Sequence, residues 1–322
     1  MLGSANRVTY RLNTCLAILI VGACAGCSFF RPARWSSRKS DDSSSQVRDD
    51  RSSRFTLASD RRAKLPLHAR NWRPDLLVLP LADIGVDRIK IYNIRDCQYR
   101  TEEDYDVRHF DREFALSDVR TVDFIVVPFQ NAPLLAHTML SFGLADGQHI
   151  VISVEARLEQ GESYSAIAGA LDDFELIYLV GTERDLIRLR TEVRKVDVYL
   201  YRTRVTPEQS QRLMLAMLGR VNELARRPEF YDVLTNNCTT NIVKHINQLR
   251  PGTVPNDIRV LLPGHSDRLA YDLGLLAAQG PFEPIKAASK INLVARLNAD
   301  AVDFSARLRG LDPKVGAIGI GW

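Results

Sequence analysis

Two apolar stretches, Ala136 to Phe142 and His149 to Val154, flank the short segment Ala145-Asp146-Gly147-Gln148, and no other feature constrains the fold as tightly. Asp-Gly between apolar runs is a strong hairpin signal, because both residues accept the backbone geometry of a tight turn. Further strand-like runs lie at Leu76 to Leu79, Arg88 to Ile94, Asp123 to Val127 and Val198 to Val205. The last alternates Tyr199 and Tyr201 with Val198 and Leu200. An antiparallel sheet is the economical reading of all of them.

Helices follow. Thr206-Pro207-Glu208-Gln209 reads as an N-cap, a proline at the first helical position and a capping-box glutamine. Leu213, Met217, Leu218, Val221 and Leu224 then recur at helical spacing, and the methionines read as core rather than as a ligand-binding face. Beyond Pro228, Asn236 or Asn237 caps a second helix with Ile242, Val243, Ile246 and Leu249 on one side, ending at Pro251-Gly252. A sheet followed by helices predicts an α+β body, an antiparallel sheet packed against helices, over residues 65–300, with 301–322 as a C-terminal tail.

The N-terminus carries an address. Arg7 and Arg11 precede an apolar run from Cys15 to Ala25, well short of the roughly 20 residues that cross a bilayer, so it reads as a secretory signal over residues 1–26. The run ends in Cys24-Ala25-Gly26-Cys27, which resembles the lipobox of bacterial lipoproteins and implies cleavage before Cys27 and lipidation of its thiol. Cys24 stands where leucine is usual; ordinary secretion and a redox or metal C-x-x-C pair are the other readings. Ser28 after the lipidated position implies transport to the outer membrane. Residues 27–64 form a tether, since Ser36 to Arg54 holds eight serines and nine charged residues with Val47 as its only aliphatic. As a flexible coil it spans roughly 30–35 Å. A net charge of +4 is too mild to imply nucleic acid, and Walker, dinucleotide-fold and zinc-hydrolase patterns are absent from the sequence.

The chemistry centres on Cys238. If Asn237 is the cap, this cysteine lies in the first helical turn, where free N–H groups and the helix dipole favour a thiolate and can stabilise an oxyanion. A nucleophile, a bridge to Cys97 and an inert buried thiol all remain open from position alone. Of six histidines, His245 lies two turns along the same helix, while His149 and His265 sit beside turns where exposure is the default. His68 and His109 lie in polar surroundings. His137 alone is embedded in an apolar strand, which makes it the candidate base or a satisfied core residue. The neighbouring strand offers Ser153, Glu155 and Arg157. A two-residue turn sets His137 opposite Ala156, whereas one bulged residue at Gly147 sets it opposite Glu155. Glu155 is the candidate orienting group; an exposed ion pair with Arg157 is the alternative.

Three blocks, His137-Thr138-Met139-Leu140-Ser141-Phe142-Gly143, Ile152-Ser153-Val154-Glu155-Ala156-Arg157 and Thr235-Asn236-Asn237-Cys238-Thr239-Thr240-Asn241, resemble the bacterial family described as the periplasmic domain of Lnb-type lipoprotein N-acyltransferases. Asn93-Ile94-Arg95-Asp96, Tyr99-Arg100 and Asp104-Tyr105 resemble it too. The resemblance covers about Leu65 to Leu297 and implies a permuted papain-like cysteine-enzyme fold, the histidine strand preceding the cysteine helix. Asn237-Cys238 is also similar to the Asn-Cys of the lecithin:retinol acyltransferase group. The resemblance implies Cys238 as nucleophile and His137 as base, with acyl transfer through a thioester from phospholipid to an amine such as a lipoprotein N-terminus. The family's acyltransferase carries a membrane portion after this domain, whereas only Gly316 to Trp322 is apolar here, so membrane contact is expected from Cys27 on the periplasmic face of the outer membrane.

Three functions follow as expectations: a membrane-tethered cysteine acyltransferase or lipid hydrolase, a cell-wall peptidase or amidase, and a non-catalytic envelope lipoprotein with Cys97 locked to Cys238. None calls for a cofactor or a metal, since the cysteine and histidine spacings lack the paired pattern of zinc sites.

Overall fold

The computed structural model describes residues 65–162 and 174–310. The signal, the Cys27 lipidation site and the tether lie outside the described residues, as does the apolar stretch from Gly316. Among the described residues ten strands, numbered in chain order, run over Leu81–Ile84 (β1), Arg88–Arg95 (β2), Gln98–Tyr99 (β3), Tyr105–Asp106 (β4), His109–Ala115 (β5), Val119–Phe129 (β6), Ala132–Leu144 (β7), His149–Arg157 (β8), Glu175–Thr182 (β9) and Tyr199–Arg202 (β10). Nine α-helices occupy Pro74–Leu77 (α1), Glu183–Arg188 (α2), Pro207–Arg226 (α3), Cys238–Leu249 (α4), Ile258–Leu261 (α5), Ser266–Asp272 (α6), Phe282–Ala288 (α7), Asn292–Leu297 (α8) and Phe304–Arg307 (α9) among the described residues.

The main sheet has the order β1-β2-β9-β8-β7-β6-β10, with β5 pairing β2 off this path. Its pairs are antiparallel except β2 and β9, which meet in parallel at Arg95 and Gly181. The expectation of a purely antiparallel sheet is thus corrected to a mixed one. β9 carries no period-2 alternation because it is buried on both faces. The expected strand at Leu76 to Leu79 is another correction: Pro74 opens the short helix α1, and the edge strand β1 starts only at Leu81.

The hairpin forms as the sequence requires, with a three-residue loop. Leu144 N donates to Gln148 O at 2.8 Å and Gly147 N to Leu144 O at 3.0 Å. Gly147 has φ +81°, the left-handed conformation that closes such a loop with a bulge. Helix α3 starts on the expected capping box, Gln209 N donating to Thr206 Oγ1 at 3.3 Å and Thr206 N to Gln209 Oε1 at 2.9 Å. Its buried Leu213, Met217, Leu218 and Val221 join the core; each such burial contributes roughly 1.5–3 kcal/mol.

Strand alternation gives the sheet two distinct faces. Helices α3 and α4 cover one, reached by Thr138, Leu140, Ile152, Val154 and Tyr178. On the other lie Asp123, His137, Ser141, Ser153 and Glu155, against α2 and the π-helical turn Leu189–Val193. The C-terminal segment closes over this second face. Phe304 and Leu308 are buried in the core, so packed structure continues past residue 300. No helix among the described residues is long and apolar enough to cross a membrane.

Candidate active site

The bulged loop decides the hairpin register. Met139 pairs with Ser153 and Gly143 with His149, the shift that carries Glu155, rather than Ala156, across from His137. The ladder stops at Met139 and Ser153, so His137 and Glu155 stand just beyond its last pair. Between them sits Ser153: its Oγ lies 2.7 Å from His137 Nε2 and donates to Glu155 Oε1 at 2.8 Å. Direct approach of His137 Nε2 to Glu155 Oε1 is 3.6 Å. Arg190 completes the chain, Nη2 donating to the same carboxylate oxygen at 3.0 Å while Nη1 holds Leu186 O at 2.9 Å. Glu155 therefore pairs with Arg190, not Arg157, whose guanidinium instead binds the carbonyls of Leu76 and Leu77 and stacks on Trp72.

The direction of the proton chain follows from charge. Burial raises the Glu155 carboxyl, but Arg190 outweighs it and holds the group well below the usual carboxylate range. An ionised carboxylate only accepts hydrogen bonds. Ser153 must then give its proton to Glu155 and accept from His137 Nε2–H, which leaves the imidazole lone pair on Nδ1. Burial, reinforced by Arg190, holds the His137 imidazolium down to about 3, so the ring is neutral at physiological pH. The arrangement is a neutral histidine oriented at one nitrogen, with a free lone pair at the other.

Cys238 is the first residue of α4. Asn237 caps the helix, its side chain accepting from Thr240 N at 2.9 Å and its own N–H donating to Thr240 Oγ1 at 2.9 Å. The buried thiol lies 3.9 Å from Ala136 O and 3.8 Å from Thr239 Oγ1. Thr239 Oγ1 in turn meets Thr138 Oγ1 at 3.0 Å, which fixes this end of α4 to the helix-covered face. His137 precedes Thr138 and projects from the opposite face. Thiol and imidazole thus flank the Ala136–His137 peptide, and the described contacts of the sulfur include no imidazole. Cys97 and Cys238 are both free thiols, so the structure does not contain the Cys97–Cys238 bridge. Burial pushes the Cys97 thiol up to about 12, which leaves it protonated and unreactive.

The same outer face carries a second polar cluster. Arg309 Nη2 reaches Asp123 Oδ2 at 2.6 Å and Glu183 Oε1 at 2.5 Å; Ser141 Oγ also donates to Glu183, and Arg202 pairs with Asp123 at 3.0 Å. His149, for which exposure was expected, lies here with its side chain only 7% exposed and Nε2 3.8 Å from Asp123. It fits because Gly143 opposite has no Cβ, which would stand 2.7 Å from His149 Nε2. Asp123, His149 and Glu183 are a possible metal-ligand set by distance, their donor atoms lying within 4.8 Å of one another. The space between the two carboxylates, however, is taken by the Arg309 guanidinium. His245 is buried against Tyr178, Nε2 to Oη 2.9 Å, and burial lowers it to about 4; His265 is exposed, and His68 and His109 are partly so.

Sequence reasoning named His137, Glu155 and Cys238. It did not give Ser153 its bridging part, although a residue two positions from Glu155 on a strand shares its face. Arg190 carried no signal, because a π-helical turn brings it to Glu155 from another element. The model of the family described as the Lnb N-terminal periplasmic domain matches residues 105–264, a span that includes His137, Ser153, Glu155, Arg190 and Cys238. Neither a curated protein nor a solved structure matches the chain.

Proposed function

We propose, from the match of residues 105–264 to the family of the Lnb N-terminal periplasmic domain, that this protein is an envelope cysteine acyltransferase or lipid hydrolase, with Cys238 as nucleophile and His137 as base. The observation that carries the proposal is the relay from Arg190 through Glu155 and Ser153, which leaves the His137 Nδ1 lone pair unengaged beside the peptide that Cys238 touches. The order of a histidine strand before a cysteine helix is that of a permuted papain-like enzyme.

In this reading the start of α4 and the ends of β7 and β8, unpaired with each other beyond Met139 and Ser153, shift so that the sulfur meets Nδ1 while Ser153 keeps its hold on Nε2. The thiol proton passes to Nδ1, and the thiolate attacks the carbonyl carbon of a phospholipid or lipoprotein ester. N–H groups of the first α4 turn stabilise the oxyanion. The C–O bond breaks, the lysolipid alkoxide takes the proton from the imidazolium, and a Cys238 thioester remains. An amine, such as a lipoprotein N-terminus, or water then attacks the thioester; its proton moves through Nδ1 to the departing thiolate, which restores Cys238. Ser153 and Glu155 hold the ring and stabilise its charged form without themselves exchanging the acyl group. Lipidation at Cys27 would keep the body at the periplasmic face of the outer membrane, within reach of both substrates.

Incubating the full chain with phospholipid and measuring its intact mass tests the proposal. One added acyl group, removed by hydroxylamine and missing from Cys238→Ala, is expected. An adduct that persists in Cys238→Ala, or cleavage of purified murein fragments with no phospholipid adduct, overturns it.

A further inference from the structure

The helix-covered side of the sheet holds a pocket of about 370 Å³ that the relay does not use, a volume within the range of small-molecule sites. Its walls are apolar: Phe124 and Leu140 from the sheet, Leu213 from α3, Ile242 and Ile246 from α4, and Leu269 from α6. The pocket follows α4 along its length, for Thr239 and Leu249 both line it. At the helical rise of 1.5 Å per residue those two positions are about 15 Å apart. An elongated apolar channel of this kind fits one extended hydrocarbon chain better than a globular ligand.

The charged lining has one sign. Arg204 and Arg250 line the pocket and no carboxylate does. Both arginines are exposed, which places them where the pocket meets solvent. Arg204 is held in place by Leu276 O and Ala278 O at 2.8 and 3.3 Å. The Arg250 guanidinium has no hydrogen bond or ion pair to any described residue. A guanidinium presents a planar fork of donors that matches a carboxylate or phosphate, so the rim suits an anionic head. Cys238 is not among the lining residues, and the two threonine hydroxyls near that end bond to each other.

We infer that this pocket is a ligand site separate from Cys238, taking a single-tailed amphiphile with an anionic head, the tail lying along α4 and the head at Arg250, just beyond the end of the helix, where Leu249 lines the pocket. The inference is independent of whether Cys238 reacts. Such a ligand belongs to the same chemical class as the free fatty acid or lysophospholipid released by acyl transfer or hydrolysis, so the site would sense or retain a product rather than process it.

Calorimetric titration of the full chain with dodecanoate, dodecyl phosphate and dodecanol, each below its aggregation concentration, tests this. Both anions are expected to bind saturably at one site and about tenfold more tightly than the alcohol, the difference that a charged hydrogen bond supplies. Arg250→Gln, at an exposed position that the fold does not need, should weaken the anions about tenfold and leave dodecanol unchanged. Leu213→Trp should abolish binding of all three, and Cys238→Ala should bind as the unaltered chain does. Tighter dodecanoate assigns the head to a fatty acid, and tighter dodecyl phosphate assigns it to a lysophospholipid type. Absence of saturable binding, equal affinity for alcohol and anions, or an Arg250→Gln variant that binds dodecanoate normally overturns the inference.

Discussion

Two clusters on one face of the sheet use nearly the same residues to opposite ends. Around His137, a serine, a glutamate and an arginine leave one imidazole nitrogen engaged and the other free, and the side chain keeps 14% of its surface. Around His149, a serine, two carboxylates and two arginines surround the ring, and Arg309 ties two elements together over it. The types of side chain do not separate a site from a fastening. The position of the arginine does: Arg190 approaches from behind the carboxylate and leaves the histidine open, whereas Arg309 enters between the carboxylates and fills the space that a ligand would need.

The largest expected effect compares the two histidines directly. His137→Ala should slow formation of the Cys238 acyl adduct by about 10²–10⁴-fold, the usual contribution of a general base, while His149→Ala should leave the rate per folded molecule unchanged. Equal losses, measured by mass spectrometry on samples normalised for folded protein, would erase the distinction. Next comes the arginine pair. Arg309→Met leaves buried Glu183 without its cation and Asp123 with Arg202 alone, and should cost roughly 3–5 kcal/mol in urea unfolding. Arg190→Met should cost less, because Glu155 keeps its Ser153 hydrogen bond and partial solvent contact.

The smallest effect per step is acid sensitivity. His137 and His245 are held at about 3 and about 4 in the fold, below the ordinary value near 6.5, and His149 is lowered in the same direction by burial. Below pH 6.5 the unfolded chain takes up protons that the folded chain refuses. Stability present at neutral pH is therefore lost as pH falls from about 6.5, toward about 4 for His245 and about 3 for His137, by at most about 1.4 kcal/mol per pH unit for each histidine. Replacing His137 by glutamine should flatten this acid limb in equilibrium unfolding curves; an unchanged slope would contradict its neutral state.

What the sequence made legible was local. Asp146-Gly147 specified the hairpin, Thr206 and Gln209 specified the start of α3, and Asn237 placed Cys238 at a helix start, because each of these depends on residues within a few positions of one another. Glu155 was singled out, but whether it met His137 depended on one residue of register, a choice that only the turn geometry made. The contacts that define the site are not local. Arg190 reaches Glu155 from a separate helical turn, and the face on which α4 sits, which divides Cys238 from His137, follows from packing that no short pattern encodes. His149 was misread as exposed because residues beside a turn usually are; here Gly143 across the ladder makes room for its ring to fold inward. β9 escaped notice for the opposite reason, being apolar on both sides and so without the alternation that marks a half-buried strand.

The parallel contact of β2 with β9 has a kinetic consequence. Chains made from the N-terminus outward present β1, β2 and β5 early, yet these strands can join the rest of the main sheet only through Arg95 and Gly181. Closing so long a loop carries an entropic toll before any contact repays it, and pairings of this separation set slow rates. The early trio therefore waits with an unsatisfied edge until β9 has been synthesised, and that interval is when the nascent molecule is most open to capture by a chaperone or by another unfinished copy of itself.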